Sequence, residues 1–294
     1  MKLPNGVKII KGDHENVRAK IELEDIVYQR KQERNLRIRF AYPQQDHVER
    51  QYPLVMHIQG SGWHQQNLNA HLLDFKDIVT AGYILAIVEY LPIPYGIFPS
   101  QIEDAKAAMR YIVQHADEYH VDVDNLFIMG DSSGGHTALM CWATWNKNQF
   151  DKSDERLPDI RGFVNLYGVV DLLALSEDNP ETDYNQAGIP EAQLLGGHIP
   201  NDHPKLAEKA SVLHYVTEAS KTEPLLILHG TKDELVPINQ SIRLYTHARK
   251  LNKEVKFYAV EGAGHGNSIF YHKEIIQTII DFLDDQRTSN YNWF

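Results

Sequence analysis

The sequence predicts an α/β fold: a mostly parallel central sheet with helices on both faces. Three observations predict it. Short apolar runs alternate along most of the chain with longer segments of helical period. One of those runs, Leu126 to Met129, leads through Gly130-Asp131-Ser132-Ser133-Gly134 straight into the apolar segment Thr137 to Ala143, a sharp strand-to-helix turn. The residues with chemical capability follow the ends of apolar runs, where a parallel sheet gathers its site. They are Gly60-Ser61-Gly62 after 54–58, Ser132 after 126–129, Asp233 after 225–229 and His265 after 255–260.

In chain order, residues 20–28 and 36–42 alternate apolar and polar and predict two antiparallel edge strands. Pro53 opens the strand 54–58, and Gln59-Gly60-Ser61-Gly62-Trp63 leaves it as a loop of small residues. A helix is expected over 70–81, ended by Gly82, then a buried strand over 83–90 and a proline-rich loop over 91–99. Ile102, Ala105, Met109, Ile112 and Val113 share one face of a helix over 100–118. Asp122-Val123-Asp124-Asn125 reads as a turn into the strand 126–129. A buried strand over 163–167 follows the helix after Ser132. Residues 171–215 have weak periodicity and many turn formers, and read as a cap inserted into a single domain spanning 1–294. A strand over 225–229, a helix over 238–251, a strand over 255–260 and a helix over 268–285 complete the pattern, with a loose tail from Thr288 to Phe294.

Composition narrows the function. The chain has 294 residues, 43% of them hydrophobic, enough for one sizeable core. A net charge of −11 argues against nucleic acid or an anionic membrane as partner. The single cysteine, Cys141, excludes an intramolecular disulfide. The amino-terminal residues lack the apolar core of a signal peptide, and no apolar run reaches the ~18 residues of a membrane span, so a cytoplasmic protein is expected. No His-Glu-x-x-His, Cys-x-x-Cys or phosphate-binding glycine loop is present, so neither metal nor organic cofactor is expected.

The chemistry centres on Ser132. A serine hydroxyl is a poor nucleophile near neutral pH and needs a base, commonly a histidine oriented by a carboxylate. The order serine, acid, histidine is met by Ser132, Asp233 and His265, with Asp171 and the adjacent Glu234 as rival acids. Backbone N–H groups must also hold the oxyanion that forms. Ser133, at the helix start, is one candidate donor; Ser61 or Gly62 is the second. Trp63, Tyr95 and Phe98 are candidate pocket-lining residues.

These segments together resemble the α/β-hydrolase fold, in the branch of small esterases related to hormone-sensitive lipase. Within it they resemble bacterial carboxylesterases that include acetyl-xylan and feruloyl esterases. The resemblance is carried by Gln59 to Trp63, Phe98 to Ala108, Gly130 to His136, His229 to Asp233 and Gly264-His265-Gly266. Two departures stand out. Gln59 replaces the histidine of the family's His-Gly-Gly-Gly loop, and Tyr90-Leu91-Pro92 stands where Tyr-Arg-Leu is common.

The expected activity is hydrolysis of short-chain acyl esters through an acyl-enzyme, with acetyl or feruloyl esters of carbohydrates as the substrates the resemblance implies. One rival is a peptidase or amidase on the same residues, with Glu177, Asp178, Glu181 and Asp183 as an acidic cluster for a free amine. Another is a ligand-binding protein that no longer catalyses. The partner expected is a small-molecule ester. The sequence leaves the oligomeric state open, a homodimer included.

Overall fold

The computed structural model describes residues 17–288 except 23, 45–49 and 148. The expectations for the amino-terminal segment and for most of the tail fall outside these residues. Nine strands among them form one sheet in the order β1-β3-β5-β4-β6-β7-β8-β9, with β2 also paired to β3. The strands are β1 Arg18–Ile21, β2 Ile26–Lys31, β3 Arg34–Gln44, β4 Tyr52–Ile58, β5 Ile84–Val88, β6 Val121–Asp131, β7 Gly162–Leu166, β8 Leu225–Gly230 and β9 Val255–Val260. From β5 to β9 every neighbouring pair is parallel. β1 and β2 both pair antiparallel with β3, which is itself antiparallel to β5. The stretch read as one strand over 20–28 is therefore two, each covering a different part of β3. Between them lies Asp25, whose carboxylate takes Arg39 at 2.7 Å and Arg37 at 3.3 Å.

The helices are α1 Lys76–Thr80, α2 Ser100–Gln114, α3 Ser132–Thr144, α4 Leu175–Asp178, α5 Pro190–Leu194, α6 Pro204–Lys209, α7 Asn239–Lys250 and α8 Lys273–Gln286. Strand side chains alternate between two apolar layers. Met56, Ile128 and Ile227 pack with Met109 of α2, Leu139 of α3 and Leu244 of α7. Val55, Phe127 and Leu226 pack on the other face with Ile78 of α1 and Ile279 and Leu283 of α8. Each such side chain contributes roughly 1.5–3 kcal/mol by leaving water.

Further boundaries differ from expectation. The helix expected over 268–285 begins only at Lys273, because His272 is extended and separates it from a short turn over Ser268–Tyr271. The helix expected over 70–81 is a single short turn of α1, because His71 sits at φ 63°, a left-handed conformation a helix cannot absorb. The turn expected at 122–125 lies inside β6. Tyr52 pairs with Val121 and Leu54 with Leu126, so four residues bulge out of the ladder there. Asp122 stabilises the bulge through Asp124 N at 3.0 Å and Asn125 Nδ2 at 2.8 Å.

The registers align the carboxyl ends that matter. Ile58 lies beside Gly130, Asp131 beside Leu166, and Gly230 beside Val260. The loops after β4, β6, β8 and β9 thus leave one edge of the sheet. Among the described residues, no helix is long and apolar enough to cross a membrane.

Candidate active site

The turn from β6 into α3 is possible only with small residues. A Cβ on Gly134 would stand 2.0 Å from the Ile58 carbonyl oxygen, and one on Gly130 would stand 2.3 Å from the Gly134 carbonyl oxygen. That crowding places the turn hard against β4 and holds Ser132 at φ 51°, a strained conformation for a residue with a side chain. Its Oγ lies 2.8 Å from His265 Nε2. His265 Nδ1 lies 2.8 Å from Asp233 Oδ2. The three residues expected to act together are joined in one hydrogen-bonded line.

Asp233 is tied down on its other oxygen. Oδ1 accepts Leu235 N at 3.0 Å and Val236 N at 2.8 Å, a turn that aims Oδ2 at His265. Burial would raise this carboxyl, but hydrogen bonds from His229 and His265, the charge of His265 and the Val236 N–H prevail and hold it down at about 2. His229 was not singled out in the sequence. It is buried on β8, with Nε2 2.8 Å from the Val236 carbonyl oxygen and 3.4 Å from Asp233 Oδ2, while Nδ1 lies 2.7 Å from Ser241 Oγ. The signal for it was spacing: His229 stands four residues before Asp233 at the same strand end.

The rival acids lie elsewhere in the bonding pattern. Asp171 Oδ1 accepts Leu173 N at 3.0 Å and Ser211 Oγ at 3.1 Å, capping the start of the 171–215 segment. Glu234 is exposed, and its carbonyl takes Asn179 Nδ2 at 2.8 Å. The acidic cluster is also dispersed. Arg243 takes Glu177 at 2.9 Å and Asp178 at 2.8 Å, and Asp183 caps its own turn at Asn185 N, 2.9 Å away.

The loop after β4 is fixed amide by amide. Gly60 N donates to Asp131 Oδ1 at 2.9 Å, and Ser61 N donates to Ser133 Oγ at 2.9 Å. Ser61 Oγ donates to the His64 carbonyl at 2.8 Å and meets the Tyr90 hydroxyl at 3.0 Å. Gln59, which replaces the family's histidine, accepts Asn67 N at 2.7 Å and so closes the far end of the loop. Of the two candidate amides in this loop, that of Ser61 already has a partner in Ser133 Oγ. Among the described residues, the amides of Gly62 and Ser133 donate no hydrogen bond. Gly62 has φ 59°, which turns the loop at that point.

The three residues expected to line a pocket occupy different places. Trp63 is 1% exposed, at φ 58°, with its ring edge-on to buried His136 at 5.3 Å. It is a core side chain beneath the loop, because the left-handed turn at Gly62 and Trp63 folds the indole inward. Tyr95 is 49% exposed, but its ring lies 3.7 Å beneath the Arg34 guanidinium, out at the β2–β3 hairpin. Phe98 is half-buried against Phe150 at 5.2 Å, and its N–H donates to the Leu194 carbonyl of α5. The wall against His265 is instead Tyr167, whose ring stands 4.9 Å away. Beside the loop after β4 is α5: a Cβ on Gly62 would lie 3.5 Å from Pro190.

Comparisons with known proteins agree with this architecture. The chain is 29% identical over 213 residues to the probable carboxylic ester hydrolase LipM of Mycobacterium tuberculosis, covering 70% of this chain and 47% of that protein. It is 23% identical over 244 residues to esterase LipC of the same organism, covering 80% and 55% respectively. The chain thus spans about half the length of these relatives. The structure superposes on a truncated carbohydrate esterase from gut microbiota with a TM-score of 0.76 at 25% identity, covering 94% of this chain and 98% of that one. The model of the BD-FAE family matches residues 41–248, well over half the chain and inclusive of Ser132 and Asp233. The chain belongs to the BD-FAE family and has the α/β-hydrolase fold.

Proposed function

We propose that this chain is a serine carboxylesterase acting on short-chain acyl esters. The observation that carries the reading is the unbroken line Ser132 Oγ, His265 Nε2, His265 Nδ1, Asp233 Oδ2, with both contacts at 2.8 Å. His265 Nε2 takes the hydroxyl proton as Ser132 attacks the ester carbonyl carbon. The Asp233 carboxylate holds the tautomer with a proton on Nδ1 and stabilises the imidazolium. The amides of Gly62 and Ser133 receive the oxyanion. The tetrahedral adduct collapses, the C–O bond to the alcohol breaks, and the His265 imidazolium protonates the departing oxygen. Water then repeats the sequence on the acyl-enzyme, releasing the acid and restoring Ser132.

The alcohol half is proposed to be a carbohydrate carrying acetyl or feruloyl groups. The likeness to a carbohydrate esterase across nearly the full chain supports this. The amidase reading has less support, because Asp178 is buried against Arg243, which also pairs with Glu177.

The test is turnover of nitrophenyl acetate through decanoate, beside an acetylated xylo-oligosaccharide and an amino-acid nitroanilide, by wild type and Ser132→Ala. Fast acetate cleavage that drops by octanoate is expected, with a loss of about 10³-fold or more in the variant. Anilide cleavage with silence on every ester would replace this reading.

A further inference from the structure

A second carboxylate and a second pair of imidazoles lie on the opposite side of the Ser132 turn, and the mechanism above does not use them. Asp131 immediately precedes Ser132 and is 5% exposed. Its Oδ1 accepts the Gly60 amide at 2.9 Å and lies 3.2 Å from His57 Nε2. Its Oδ2 faces His71 Nε2 at 3.9 Å, and His71 Nδ1 lies 3.0 Å from Asp74. His57 is fully buried on β4, edge-on to Phe75 at 5.0 Å and to His71 at 5.8 Å.

Charge explains why the group must act as one. A carboxylate removed from water needs donors, and a single amide is a weak counterweight. His57 Nε2 stands 3.2 Å from Oδ1, a close contact without the alignment of a hydrogen bond. The fit is also steric. A Cβ on Gly60 would stand 2.6 Å from Asp131 Oδ2 and 2.7 Å from Ser132 Cβ. The oxyanion loop therefore rests directly on the carboxylate, which in turn abuts the His57 ring.

We propose that His57 is a positioning residue. By holding the Asp131 carboxylate against Gly60, it sets the height of the Gly60–Gly62 loop above Ser132, and hence where the Gly62 amide meets the oxyanion. This rests on the esterase reading.

The test compares His57→Phe, which keeps a ring but no donor, with His57→Gln, which keeps a donor. Two readouts are used. The first is kcat and KM on an oxygen ester and on the matching thionoester, whose sulfur accepts hydrogen bonds poorly. His57→Phe is expected to lower kcat on the oxygen ester about 10- to 100-fold, below the loss for outright removal of a donor. KM should change little, and the oxygen-to-sulfur rate ratio should fall with kcat. His57→Gln should recover most of both. The second readout needs no turnover: hydrogen exchange of the peptide containing Gly60 should be at least tenfold faster in His57→Phe. If His57→Phe does not fold, Asp131→Asn carries the same test, since it weakens the acceptor for Gly60. An unchanged rate ratio together with unchanged exchange would overturn the proposal. Absence of ester turnover in wild type would overturn the esterase reading, while faster exchange would still uphold the anchoring role of His57.

Discussion

The turn at Ser132 stands between two carboxylate–imidazole pairs, and they are built differently. On one side Asp233 and His265 meet at 2.8 Å, and the His265 side chain is 17% exposed. On the other side Asp131 and His57 meet at 3.2 Å, and His57 is sealed from solvent. The first imidazole sits on a glycine-flanked loop and reaches the serine hydroxyl. The second sits mid-strand in β4 and reaches only the carboxylate beneath a backbone amide. On the proposed reading, the same two functional groups give a base where a proton can come and go, and a brace where it cannot. Location on a loop or a strand decides which.

The largest effect should come from the Asp233–His265 pair. Asp233→Asn leaves the shape but presents the wrong partner to His265 Nδ1, and kcat should fall about 10⁴-fold. Asp131→Asn should lower kcat by no more than about 100-fold, since it shifts an amide donor and leaves the proton path intact. Asp171→Asn, whose carboxylate only caps a turn and a serine, should change kcat less than twofold. Steady-state kinetics on nitrophenyl acetate rank the three. If Asp131→Asn equalled Asp233→Asn, the distinction between base and brace would collapse.

His229→Gln should sharpen the picture at intermediate size. It removes the nitrogen 3.4 Å from Asp233 and the contact to Val236 that shapes the carboxylate's turn. A roughly 10- to 100-fold loss in kcat with KM little changed is expected, by analogy with the partners that orient metal-binding histidines. An unaltered kcat would leave Asp233 positioned by its backbone amides alone.

How much of this was legible follows from the range of each interaction. The Ser132 turn was readable because its glycines answer to atoms a few residues away or on the adjacent strand. Asp233 and His265 were readable because chain order and strand ends locate them. His57, Asp131 and His229 were not singled out for a role of their own. A buried polar residue inside an apolar run looks like part of the run, and its partner is distant in sequence: Asp131 is 74 positions from His57. The final places of Trp63 and Tyr95 were hidden for a related reason. Trp63 and Tyr95 owe their final directions to a left-handed backbone at 63 and to an arginine on another hairpin. Neither carries a local signal. The helix expected over 70–81 shows the converse, a plausible period interrupted by one residue with positive φ.

The smallest expected effects are on stability, and acid should separate the two pairs. The Asp233 carboxyl lies at about 2 against an ordinary 3.8. The folded state thus releases its proton more readily than the unfolded chain. The stabilisation, about 2 kcal/mol from 1.36 kcal/mol per unit, is present above pH 4 and lost as pH falls towards 2. His57 runs in a higher window. Burial holds it below its ordinary 6.5, against the opposing pull of Asp131, and nearby His71 adds to the lowering. The unfolded chain then binds the extra proton first, so stability falls as pH drops below 6.5. Urea unfolding from pH 7 to pH 3 separates them. His57→Gln should flatten the upper part of the profile and change the lower part less, through the Asp131 carboxyl that His57 helps hold down. Asp233→Asn should cost stability at pH 7, and its difference from wild type should shrink below pH 4. A single shared window, moved equally by both substitutions, would mean that the two pairs titrate as one network through the Ser132 turn.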